Sequence, residues 1–335
     1  MDFIAEPEQQ AVADVVESIL GRENTWPALV SGGIAALGVP ARLGGDGVGI
    51  AEIATALTGI GRHGLVSPAL CTLGFGVAGL RALASEEQQD RYLDGVATGA
   101  VLTAALNEPG AALPDRPATR LTDGRLEGTK VAVPYAAQAN WMLVTTDGGV
   151  AVVSPEAPGV HLTGTPNSAG GEEFTVAFSQ TPVDAVLAGG TVQRLNQLAI
   201  AAVGAYGAGL VAGAVRLTAD YVSNRHQFGR PLATFQTVAA QLAEVYIASR
   251  TLDLASTSAV WRLAQGRDAA DDLDVLAYWM TANAPPAMQT CHHLHGGMGM
   301  DITYPMHRYY SAVKDLTRLL GGPARRLDLV GAQCI

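Results

Sequence analysis

Hydrophobic periodicity changes twice along this 335-residue chain, and those two changes limit the folds open to it. Residues 7–100 follow a helical period broken by short loops. Pro7 followed by EQQAVADVVESIL gives a proline-started amphipathic helix, and Ser85 ahead of EEQQ gives an N-cap with acidic residues in the first turn. From about Val101 the segments VLTAALNEPG, TRLTDGRLEGTKVAV, NWMLVTTDGGVAVVS, GVHLT and EEFTVAFSQTPV are short, β-branched and divided by Gly, Asp and Pro. They read as antiparallel strands, with hairpin turns at Asp123-Gly124 and Asp147-Gly148-Gly149. From about Gly190 the helical period returns, with helices expected over 191–224, 234–264 and 269–295 and a shorter one from Pro305. Blocks of helices, strands and helices describe an α+β chain rather than alternating βαβ units. The expected domains are residues 1–100, 101–190 and 191–335, with no internal repeat or low-complexity tract.

Composition narrows the functions. Hydrophobic residues make up 48% and charged residues 16%, enough for a large core and too few charges for long solvated tracts. The net charge of −10 argues against a nucleic-acid surface and against docking on anionic membranes. A phosphate-bearing ligand must then be held by a local cluster of cations or backbone N–H groups. Cys71, Cys291 and Cys334 are odd in number and lack metal-type spacing, so reduced thiols in a cytoplasmic protein are expected. MDFIAEPEQQ lacks the basic and apolar regions of a signal peptide. The apolar stretch Leu198–Val215 comes closest to a membrane span, but its Ala and Gly suit close helix packing.

Two segments of the C-terminal helices carry the most specific chemistry: RHQFGRPLATFQTVAAQLAEV (Arg225–Val245) and HHLHGGMGMDITYPMHRYY (His292–Tyr310). The planar guanidinium of Arg225 suits bidentate binding of a phosphate. Gln227 and Gln236 offer amide donors, Phe228 an apolar face, and Gly296-Gly297 lets backbone N–H groups approach a ligand because no Cβ intervenes. Each alone has a plainer explanation: a solvated arginine, a core phenylalanine, a glycine pair ending a helix. His292, His293 and His295 crowd the second segment, but no suitably placed carboxylate or thiol completes a metal site.

These segments resemble the R-x-x-F-G-x-x-L and Q-x-x-G-G-x-G, Y-P patterns of the acyl-CoA dehydrogenase family. ALNEPGAALPD (Ala105–Asp115) resembles its T-E-P-x-A-G-S-D loop, GRLEGTKVAVPYAAQANWMLV (Gly124–Val144) its G-x-L-x-G-x-K strand pair, and LGVPARLGGDGVG (Leu37–Gly49) its N-terminal loop. The resemblance runs over essentially the whole chain, in order. It implies an N-terminal helical domain, a middle antiparallel β-barrel and a C-terminal four-helix bundle. It also implies FAD at a subunit interface, and oxidation of an acyl-CoA at Cα–Cβ by a carboxylate base and hydride transfer to the flavin. The cofactor-binding residues it implies here are Arg225, Gln227, Phe228, Gln236, His293, Gly296 and Gly297, with His293 where the family has a glutamine. His295, before the glycine pair, reads as a helix C-terminal histidine favoured by the dipole.

The sequence departs from the family at the base. Counted from Gly296-Gly297, the family's Y-E-G-T-x-Q stretch falls on Leu319-Leu320-Gly321-Gly322-Pro323-Ala324, so Leu320 stands at the glutamate position. The alternative glutamate position, counted back from Arg225, falls on Ala199-Ile200. Neither carries a carboxylate, so no catalytic residue is assigned. The family's flavin-ring stretch W-I-T-N-G is replaced by Val131-Ala132-Val133-Pro134-Tyr135. Glu108 and Glu244 remain near the motifs, the first as part of the loop scaffold and the second as a helix-surface residue.

In the family's dimer a flavin sits on one subunit's barrel and base, while the neighbour reaches across with R-x-x-F-G, the following Gln and the Gly pair. This chain keeps the reaching set and has lost most of the receiving set. The resemblance therefore implies the smaller, non-catalytic subunit of an α2β2 acyl-CoA dehydrogenase, with a catalytic partner that supplies the glutamate and most of the substrate site. Over its whole length the chain looks similar to the short subunits of actinobacterial steroid side-chain degradation, of the 3-oxo-pregnene-20-carboxyl-CoA type. A homo-oligomeric dehydrogenase with an unrecognised base, and a non-enzymatic binding homologue, are the alternatives.

Overall fold

The computed structural model describes residues 5–187 and 191–332; Cys334 and the first four residues lie outside them. The N-terminal helices are α1 (Pro7–Leu20), α2 (Trp26–Ser31), α3 (Ile50–Arg62), α4 (Ala78–Leu83) and α5 (Glu86–Tyr92), with a π-helical stretch at Leu70–Val77. Pro7 opens α1, and Ser85 caps α5 through a box in which its hydroxyl accepts the Gln88 N–H at 3.2 Å.

Eight strands follow: β1 (Val101–Ala105), β2 (Arg120–Thr122), β3 (Arg125–Pro134), β4 (Ala139–Thr146), β5 (Gly149–Val153), β6 (Val160–Gly164), β7 (Glu173–Pro182) and β8 (Ala185–Val186). They form two four-stranded sheets, ordered β1-β4-β5-β8 and β2-β3-β7-β6. Asp123 and Gly124, with φ of 49° and 73°, turn β2 into β3 as the sequence expects. One pair departs from the antiparallel expectation. β1 lies parallel to β4, because the chain leaves through β2 and β3 of the other sheet and re-enters in its original direction.

The C-terminal helices are α6 (Val192–Asn224), α7 (Gln236–Ala264), α8 (Ala270–Ala282), α9 (Ala284–His295), α10 (Met306–Leu319) and α11 (Gly322–Ala332). Between α6 and α7 lie the two-residue strands β9 (His226–Gln227) and β10 (Arg230–Pro231). The helix expected over 269–295 is broken at Asn283, because Pro285 and Pro286 have no N–H to continue the ladder. Helix α11 has no counterpart in the sequence reading. Helix α6 is long and apolar enough to cross a membrane, yet 89% of its most apolar window is buried inside the protein.

The described chain forms two compact units. One comprises residues 5–56 and 67–203, the other 57–66 and 204–332. In the second unit α6 crosses the end of α3 backbone against backbone. A Cβ at Gly209 would overlap the Thr58 carbonyl, one at Gly213 the Arg62 carbonyl, and one at Gly61 the Tyr206 carbonyl. The Thr58 hydroxyl reaches the Ala205 carbonyl at 3.1 Å and the Tyr206 hydroxyl the Leu65 carbonyl at 2.8 Å, so the crossing is also hydrogen-bonded.

Gly209→Val should therefore destabilise the protein by about 3 kcal/mol, since no rotamer change moves a carbonyl out of the way. Gly331→Ala, in open space on α11, should be neutral or slightly stabilising. Thermal denaturation of the two variants side by side checks both.

Candidate flavin-nucleotide site

Helix α6 ends one turn after Tyr221. The Arg225 N–H still bonds the Tyr221 carbonyl at 2.8 Å, and the Arg225 carbonyl accepts the Leu232 N–H at 2.8 Å, which folds the following chain back as a hairpin. Gln227 pairs with Arg230 across a two-residue turn, Phe228-Gly229, whose φ values are 53° and 77°. That is a type I′ turn. Glycine adopts it without cost, whereas a phenylalanine held there costs on the order of 1 kcal/mol. Phe228 recovers little among the described residues: it is 92% exposed and makes an edge-to-face contact with Phe235 at 6.2 Å. Arg230 lies over the Phe235 ring at 4.0 Å. Arg225 and Gln227 are exposed, and Arg225 makes no ion pair among the described residues.

Phe235 precedes α7 without a side-chain acceptor for its first turn. The N–H groups there, with the exposed Gln236 first among them, point outward at the positive end of a 29-residue helix, a natural seat for an anion.

The second segment meets the first through an aromatic stack. His295 is 1% exposed; its ring stacks on Tyr221 at 4.6 Å with an interplanar angle of 28°, and lies 5.2 Å from Tyr304. Its Nδ1 lies 2.8 Å from the Cys291 carbonyl and donates to it. Burial lowers its pKa, so His295 serves the helix end as a neutral hydrogen-bond donor rather than as the dipole-favoured cation the sequence suggests. Gly296 follows at φ 56°, ψ −135°, a conformation open essentially to glycine alone. Its own N–H is taken by the His293 carbonyl, so its part is to turn the chain. A Cβ at Gly296 or Gly297 would meet open space, which leaves room for a ligand beside the backbone. His293 is exposed on the last turn of α9. Tyr221 and Tyr304 join these two segments, while Arg230 covers Phe235 within the first; the Y-P pattern marks Tyr304 in the sequence, and Tyr221 has only its place four residues before Arg225.

No carboxylate stands at either base position. Leu320 is 1% exposed at the end of α10, its carbonyl accepting the Arg326 Nε–H at 2.7 Å. Ala199 and Ile200 are buried in α6. Glu244 is exposed on α7. Glu108 is fully committed: it accepts the Lys130 ammonium at 2.9 Å, the Ala118 N–H at 2.7 Å, and the Thr119 N–H and hydroxyl at 2.9 and 2.7 Å. Burial pulls its carboxyl upward, but the Ala118 N–H, Lys130 and Thr119 outweigh that and hold its pKa at about 2, too low for a base. Burial in turn lowers the Lys130 ammonium to about 8 against the pull of Glu108. At Val131–Tyr135 the β3–β7 register shifts, and Ala132 and Tyr135 sit at φ 55° and 52°. Val131 bonds back to the Asn107 carbonyl at 2.9 Å and Tyr135 to the Glu172 carbonyl at 3.0 Å, so this stretch turns its polar groups inward. Among the described residues no group of His, Cys, Asp and Glu side chains is placed to hold a metal ion.

Residues 2–100 match the model of the acyl-CoA dehydrogenase N-terminal domain, and residues 191–333 that of the acyl-CoA dehydrogenase C-terminal domain. This chain belongs to the acyl-CoA dehydrogenase family. It is 66% identical to the acyl-CoA dehydrogenase FadE28 of Mycobacterium tuberculosis, across 100% of this chain and 99% of that one. Among solved structures it superposes on a chain of the Tcur3481-Tcur3483 steroid ACAD variant with TM-score 0.91 at 28% identity, covering 97% of each. It superposes on a chain of the ChsE4-ChsE5 complex from Mycobacterium tuberculosis with TM-score 0.90 at 28% identity, covering 100% and 99%. At the positions where the family resemblance would place the base, this chain carries Leu320, Ala199 and Ile200.

The Glu108 network makes acid stability testable. Its folded pKa of about 2 lies below the ordinary 4.5, so its stabilisation is complete above about pH 4.5 and is lost as pH falls towards 2. The contribution is on the order of 3 kcal/mol. Glu108→Gln should remove that pH dependence in denaturant titrations between pH 5 and 2 (roughly the two pKa values) and should lower neutral-pH stability by about 3–5 kcal/mol, because Lys130 is left buried without its anion.

Proposed function

We propose that this chain is the non-catalytic subunit of a heteromeric acyl-CoA dehydrogenase, and that its Arg225–Gln236 hairpin and Gly296-Gly297 turn complete an FAD site on the partner's barrel. The observation that carries this reading is the hairpin: Phe228 is strained and 92% exposed, and beside it Arg225 has no ion pair among the described residues, while the family's base position is a buried leucine. A chain gains nothing alone from that arrangement; a surface that covers Phe228 and accepts Arg225 does.

The residues fit the group. Arg225 offers a bidentate fork to a diphosphate, and the uncapped first turn of α7 offers N–H donors to the same anion. The exposed Gln227, Gln236 and His293 supply further polar contacts, and the open space at Gly297 admits a nucleotide against the backbone. Bound FAD supplies the hydride acceptor for oxidation of an acyl-CoA at Cα–Cβ. The partner's glutamate takes the Cα proton, since this chain has no group for it.

Support for a covering partner extends along α7. None of Gln236–Glu244 is buried, and a groove of about 350 Å³ between α6 and α7 is lined by Val215, Ala219, Val238, Leu242 and Tyr246. Ile247 and Leu254 add exposed apolar surface on the same helix. The two solved relatives whose names give paired subunits, one of them a steroid ACAD, favour an α2β2 assembly acting on a steroid side-chain CoA thioester. Both described cysteines are free and buried, which suits the cytoplasm. A homo-oligomer with an unrecognised base is disfavoured by the full commitment of Glu108 to Lys130.

The expected outcomes are specific. The purified chain alone should not oxidise acyl-CoA; the complex with its catalytic partner should, and should hold one FAD per heterodimer by flavin absorbance against protein mass. One FAD per chain would return the homo-oligomer to first place. Arg225→Ala should weaken flavin retention by the complex about ten- to a hundredfold, measured by dialysis, without unfolding it.

A further inference from the structure

The Gly296–Met300 turn rests on a side chain outside the family's motif. Of its residues, Gly299 is buried while Met298 and Met300 are exposed, so the turn presses inward at Gly299 alone of these three. What lies beneath is His292. A Cβ at Gly299 would come within 2.9 Å of the His292 carbonyl oxygen, 3.1 Å of its Cδ2 and 3.3 Å of its Nε2, so only glycine lets the turn settle onto the ring. The Met300 sulfur lies 3.4 Å from the same Nε2. On its other side the ring tilts against Tyr310 at 5.5 Å, and the Lys314 ammonium sits over Tyr310 at 4.3 Å.

We propose that His292 is a positioning residue, whose ring fixes the Gly296–Met300 turn, and with it the Gly297 backbone, for the flavin nucleotide in the partner's site. This rests on the proposed function above.

The tautomer follows from the surroundings. Nδ1 is enclosed with no hydrogen-bond partner among the described residues, whereas Nε2 faces the Met300 sulfur, a weak acceptor. The ring is therefore a neutral Nε2–H donor. Of the elements against it, the Gly296–Met300 turn has no ionisable group, α10 presents His307, Tyr310 and Lys314, and α9 itself adds His295. Burial first, then Lys314 and His307, disfavour the cation. Acid puts a proton on Nδ1 where no acceptor waits and sets the ring against the Lys314 ammonium, so the turn should loosen as pH falls.

The test uses the complex purified through a tag on this chain, with FAD itself as the probe. Flavin release is followed by fluorescence from pH 8 to 5 (about 1.5 units either side of ordinary histidine), alongside the melting temperature. His292→Ala should release flavin about tenfold faster with little change in melting temperature. His292→Phe, which keeps a flat ring that cannot titrate, should hold flavin at pH 8 and lose the acid-dependent release seen in the wild type. Should His292→Ala fail to assemble, Met300→Ala, which removes only the sulfur contact at the surface, should still speed release severalfold. The inference is overturned by wild-type release rates in His292→Ala, or, where that variant does not assemble, by wild-type rates in Met300→Ala. It is also overturned if His292→Phe follows the wild-type pH curve. A wild-type complex without flavin, or one whose flavin ignores Arg225→Ala, instead overturns the proposed function.

Discussion

The stack of Tyr221 on His295 is the contact on which the candidate site depends. It joins the last turn of α6 to the last turn of α9, and each partner sits within a turn of a motif: Arg225 after Tyr221, Gly296 after His295. Without it the hairpin and the glycine turn are two unrelated loop ends. An aromatic pair of this kind contributes about 1 kcal/mol beyond its burial. Its geometric effect is larger than its energy, because two helix termini otherwise free to fray are held against one another. The Nδ1 bond to the Cys291 carbonyl locks the histidine ring in the plane the stack needs.

The chain's acidity is unevenly spread, and this explains how an anion could be held at all. Residues 5–56 and 67–203 carry 20 of the 31 acidic residues and only 9 of the 21 basic ones. The other unit is close to neutral, and its exposed hairpin brings Arg225, His226 and Arg230 within six residues of chain beside an uncapped helix start. Local cations and N–H groups thus outweigh a net charge that would repel a diphosphate from a uniformly acidic surface.

Much of this was legible in the sequence, for physical reasons that also mark where legibility ends. Periodicity and caps placed α1, α5, α6 and α7, since those signals are local. The family resemblance named Arg225, Gln227, Phe228, Gln236, His293 and Gly296-Gly297, and the fold sets them on two segments that one aromatic stack joins. The break at Asn283 was written in Pro285-Pro286 but overridden by the apolar period on either side. The start of α11 at Gly322-Pro323 falls on the positions that line up with the family's Y-E-G-T-x-Q stretch, and its proline near the helix start is a cue that the family pattern masks. The parallel β1–β4 pairing and the Glu108–Lys130 pair arise between segments far apart in the chain, where local pattern carries no information. His292 shows in the sequence only as one of three crowded histidines, and its seat under Gly299 is a contact that local pattern does not carry.

The glycine crossing of α3 and α6 bears on how such a chain can change over generations. Where two helices meet through side chains, each substitution shifts the contact a little, and the offsets accumulate. Here the contact is carbonyl against Cα at Gly61, Gly209 and Gly213, so the spacing is set by the peptide backbone itself. Neighbouring core positions can then drift in size and shape while the axis of α6 stays put, and the Tyr221 end of that helix inherits the constancy. A lineage could in this way shed a catalytic carboxylate and rebuild a barrel face without disturbing the geometry at the far end of its longest helix.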